Sequence, residues 1–122
     1  MTTTLIAIVG VLFFGMGCVA LAKPAFVPKQ FGMTFEDAGD NGRAEIRAVY
    51  GGFGLAMASV LAYALTNDAV RDGIALTVGA ALAGMAGGRV LSAIFGDRTR
   101  FYPNWFYFAV EAIGAAALLL AL

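Results

Sequence analysis

Arg89 and Glu111 each stand in the middle of a long apolar run, one basic and one acidic. A charge at membrane depth costs at least a few kcal/mol, so it is normally paired or lines a polar cavity. Three more residues with usable chemistry, Glu45, Arg47 and Tyr50, occupy the first turns of another apolar run. Arg43, Arg47 and Tyr50 follow an i, i+4, i+7 pattern and share a helix face. Glu45 lies about 200° round the helix from Arg47 and must look elsewhere.

The two arginines Arg47 and Arg89 and the two carboxylates make a neutral set, which reduces the electrostatic cost of burying it. The expected pairing gives Glu111 to Arg89 or Arg47, and Glu45 to the arginine left over. Tyr50 stands at the edge as a hydrogen-bond donor or acceptor. Such a cluster can lock three helices in register. It can instead hold a polar head-group through arginine contacts to phosphate or carboxylate, or do acid–base chemistry at Glu111. No nucleophile, metal-ligand cluster or phosphate loop accompanies the carboxylate, so no catalytic residue is assigned and structural locking leads.

These residues must be positioned by apolar helices. The chain is 61% hydrophobic, with a mean hydropathy of +0.83, which places it among integral membrane proteins. Four spans are expected, approximately residues 4–22, 43–66, 70–95 and 104–122, in a single membrane domain with no extramembrane domain. Pro24 and Pro28 end the first, Asp40 and Asn41 offer cap chemistry ahead of the second, and Gly96-Asp97 closes the third. Ala20-Leu21-Ala22 before Lys23 resembles a signal-peptidase site. No Lys or Arg precedes the run, so a retained helix is expected.

Depth brings the charges together. Arg89 is eight residues before Asp97, about 12 Å inside that boundary, and Glu111 is seven after Asn104, about 10 Å inside the same one.

Lys23, Lys29, Arg43, Arg47, Arg98 and Arg100 flank the first and third loops, against Arg71 alone on the other side. The positive-inside rule puts those loops in the cytoplasm and both termini outside. Tyr102, Trp105 and Tyr107 supply an aromatic anchor at that interface. Phe26, Val27, Phe31, Met33 and Phe35 suggest that the first loop lies in the interface. Small-residue stripes, Gly54, Ala58 and Ala62 in the second span and Ala80, Gly84 and Gly88 in the third, suggest the helix contacts.

Other chemistry is weakly represented. Zero net charge gives no electrostatic case for nucleic acid. The absence of histidine removes the commonest axial haem ligand and a common proton shuttle, and no cofactor or metal is expected. Lone Cys18 in an apolar run reads as a packing residue. The acidic stretch Glu36 to Gly42 lacks the spacing and closing Glu of an EF-hand and reads as a capping turn.

The stretch from Glu45 to Gly52 (Glu-Ile-Arg-Ala-Val-Tyr-Gly-Gly), with Gly88-Arg89 and Glu111, resembles the DUF4345 group of small bacterial membrane proteins, a domain of unknown function. The resemblance covers nearly the whole chain. It implies four spans, a multi-pass place in the bacterial inner membrane and the same residues of interest, but no activity. The expected fold is therefore an all-α, four-helix transmembrane bundle with extracytoplasmic termini. The leading functional expectation is a non-catalytic accessory or assembly subunit of a larger integral-membrane complex, in contact with membrane lipids and a membrane-protein partner. The alternatives are a binding protein for an amphipathic lipid or isoprenoid, and a minimal enzyme acting on such a lipid.

Overall fold

The computed structural model describes residues 2–34 and 39–122. Phe35, Glu36, Asp37 and Ala38, and with them part of the acidic turn, lie outside the described residues. Every regular element among the described residues is helical. Helix α1 is Thr2–Ala22, α2 is the short Phe26–Gln30, α3 is Gly39–Thr66, α4 is Asp68–Ile94 and α5 is Phe101–Leu120. All but α2 are long and apolar enough to cross a membrane.

The ends of these helices follow from local chemistry. α3 starts four residues earlier than expected, because Asp40 sits inside its first turn and pairs with Arg43. Between Arg47 and Gly52 α3 widens into an i→i+5 turn, with the Phe53 N–H donating to the Ala48 carbonyl. Such π-turns are rare and often mark functional positions. Asn67 caps α4, its Oδ1 accepting from the Ala69 N–H at 3.2 Å. Arg71 reaches back across this tight turn to donate to the Ala64 and Leu65 carbonyls, and also pairs with Asp68. The last carbonyls of α3 are thereby satisfied by a cation, which the helix dipole favours. Gly96, at φ 109°, ends α4 with a backbone conformation that other residues rarely adopt. Tyr102 is extended, so the regular part of α5 begins after it.

The chain forms two compact units, Ala7–Tyr63 and Met1–Ile6 with Ala64–Leu122. In the first, α1 and α3 pack antiparallel through glycine. A Cβ on Gly17 would stand 2.9 Å from the Gly51 carbonyl and the Leu55 nitrogen, and one on Gly54 would stand 3.1 Å from Gly17 Cα. Gly10 faces Leu61 further along. Small residues thus let two backbones touch, the normal device for helices in lipid. The stripe expected in this helix is corrected after its first member. Gly54 is in the contact, Ala58 is half-buried and Ala62 is exposed, while Leu61 is fully buried. A four-residue spacing drifts about 40° per step, so after two steps it has left the face that a seven-residue step keeps.

In the second unit α4 packs along α5. The buried face of α4 is Ala75, Val78, Gly79, Leu82 and Ala86, against Glu111, Gly114, Ala115 and Leu118 of α5. Gly79 is the tight position, where a Cβ would meet the Leu119 side chain at 2.9 Å. The expected stripe Ala80, Gly84 and Gly88 is on the wrong side: all three are exposed, and nothing comes within 4 Å of a Cβ built on Gly84 or Gly88. Alanine and glycine surround this helix, so their spacing alone does not choose a face. Val78 and Leu82 do.

Candidate functional site

A connected polar site lies between α4 and α5, and the helix register builds it. Arg89 continues the buried face of α4, three residues beyond Ala86 and seven beyond Leu82. On α5, Asn104, Tyr107 and Glu111 follow one another at i, i+3 and i+7, so all three point toward the same neighbour.

Arg89 Nε donates to Glu111 Oε2 at 2.9 Å and Oε1 at 3.1 Å, and Nη2 donates to Oε1 at 2.8 Å. Its third nitrogen, Nη1, donates to Asn104 Oδ1 at 3.1 Å. Asn104 Nδ2 in turn donates to Thr99 Oγ1 at 3.2 Å, tying the loop before α5 to the pair. The guanidinium carbon sits 5.7 Å from the centroid of the Tyr107 ring, a cation–π distance. Tyr107 is itself packed among Tyr102 and Phe106.

Burial is uneven across the pair. The Glu111 side chain is 6% exposed and that of Arg89 21%. The charge that is harder to desolvate is therefore the one enclosed, and it is enclosed against a rigid fork that matches its geometry. No buried side-chain nitrogen or oxygen among the described residues lacks a hydrogen-bond partner. The arrangement is a closed network, suited to holding two helices at one register and one depth.

The other expected members are in the Ala7–Tyr63 unit. Arg47 is exposed and donates from Nε to the Leu21 carbonyl at 3.1 Å, near the end of α1. Tyr50 is half-buried on the π-turn and Glu45 is exposed. The expected Glu45–arginine pair is corrected: among the described residues Glu45 forms no ion pair. The physical reason is its position about 200° round α3 from Arg47. Of the two arginines expected for Glu111, Arg89 is the one that engages both its oxygens.

The chain matches the family described as a domain of unknown function, DUF4345, over residues 1–122. The chain belongs to this family. No curated protein and no solved structure matches it.

In this DUF4345 chain the residues that reading the sequence missed are Asn104, Tyr107 and Thr99. Their residue types alone mark Asn104 as a helix start and Tyr107 as part of an interface belt. The signal was present in the spacing, since stepping back from Glu111 by four and seven lands on both. Thr99 lies in a loop and carries no such periodicity.

Proposed function

We propose that this protein is a non-catalytic accessory or assembly subunit of a larger integral-membrane complex. The proposed setting is a four-helix bundle in the bacterial inner membrane, its termini extracytoplasmic as the Lys and Arg distribution favours. The observation that carries the reading is the two-sidedness of α4. One face is consumed by α5, with Arg89 closed onto Glu111, Asn104 and Tyr107. The opposite face presents Ala80, Gly84 and Gly88 uncovered, the surface on which a second helix packs closely in lipid.

A head-group or catalytic role for the buried pair has less support. Both Glu111 oxygens accept from Arg89 and the side chain is only 6% exposed, so little of it is open to a ligand.

Site-specific photocrosslinking in cells tests the reading. A crosslinker in place of Gly84 should join the chain to a different membrane polypeptide, and one in place of Leu82 should not. Equal capture from both positions, or capture only of a second copy of this chain, would overturn it.

A further inference from the structure

We infer that Arg47 and Lys23 form a binding site for the phosphate of an anionic phospholipid head-group, at the end of the α1–α3 pair. Arg47 is held rather than loose. Its Nε donates to the Leu21 carbonyl at 3.1 Å, and Leu21 is pressed onto α3 at Gly51, where a Cβ would stand 2.7 Å from Leu21 Cγ. Both Arg47 and Gly51 lie in the π-turn from Arg47 to Gly52.

With Nε used inward, the two terminal nitrogens of Arg47 have no hydrogen-bond partner among the described residues, and the side chain is exposed. That half of the guanidinium is a planar donor fork that fits phosphate oxygens. Lys23 follows two residues after Leu21, the residue that holds Arg47, and is exposed with no ion pair among the described residues, so it brings a second positive charge to the same end of α1.

The position favours a lipid over a soluble anion. The site is where a membrane-length apolar helix ends, and Phe26 and Val49 beside it in sequence are each about half exposed, at 49% and 48%. Exposed apolar side chains close in sequence to a cationic fork suit a molecule that carries acyl chains as well as a phosphate.

Native mass spectrometry of the full chain, with phosphatidylglycerol and phosphatidylcholine titrated separately, tests the site. Wild type should bind phosphatidylglycerol roughly tenfold more tightly, because phosphatidylcholine offers the same phosphate but carries a choline cation that the two basic residues disfavour. Arg47→Lys, which keeps the charge and loses the fork, should weaken the binding of both lipids several-fold. Lys23→Gln should lose most of the preference without touching the α1–α3 contact, so the idea remains testable even if the Arg47 variant folds poorly. Lys29→Gln removes the same charge elsewhere and should leave the preference within about twofold. An equal loss with Lys29→Gln would mean a diffuse basic belt and would overturn the site. So would no preference in the wild type, or displacement of the lipid by millimolar inorganic phosphate.

Discussion

Glu111 is buried in an apolar helix, and Arg89 is what makes that tolerable. Removing either partner leaves the other as an uncompensated buried charge, which costs on the order of 3–5 kcal/mol. Arg89→Met or Glu111→Leu alone should therefore be severe, while the double replacement should be much milder. Reversible unfolding in mixed micelles would measure this. A double variant as unstable as the worse single would show that the two residues are not coupled. Asn104→Ala should cost less, about 1.5–3 kcal/mol, because Arg89 loses one hydrogen bond but keeps its main partner, and the bond to Thr99 goes with it. The pair was legible in the sequence because both residues lie about 10–12 Å inside the same loop. Thr99 was not, since a loop residue carries no periodic signal. Glu45 is less than its residue type promises, since among the described residues it forms no ion pair.

At the scale of the helices, the positions of glycine separate two kinds of contact. Gly17→Ala should destabilise by about 1–3 kcal/mol, because the new methyl meets backbone atoms of α3 that cannot move aside. Gly84→Ala should be neutral or favourable by up to about 1 kcal/mol, since nothing approaches that position and alanine is the better helix former. The same unfolding assay would compare them, and equal destabilisation would contradict the assignment of faces. Length, hydropathy and cap residues made the four long helices legible to within a few residues. Which face each buries was less so. α4 is rich in small residues all round, and its orientation is decided by Val78, Leu82 and Arg89. Starting from the Arg89–Glu111 pair and stepping back by three, seven and eleven residues would have found the buried stripe. The π-turn in α3 had no periodic signature of its own, only the Gly51-Gly52 pair that permits it.

At the scale of the whole molecule, the Lys and Arg distribution predicts cytoplasmic first and third loops. A cysteine placed at Lys29 or Arg98 should label in intact cells only with a membrane-permeant reagent. Labelling of either by an impermeant one would reverse the orientation and leave the helices as they are. The central claim is that α4 turns a sealed face to α5 and an open one to a partner. Its most direct test is native electrophoresis after mild detergent extraction, comparing the wild type with the double variant Gly84→Leu, Gly88→Leu. The wild type should migrate in a complex well above its own mass. The variant should unfold at the same detergent strength as the wild type, because α5 is untouched, yet migrate alone. A variant that folds normally and stays in the same complex, or a wild type that already migrates alone, would contradict the account.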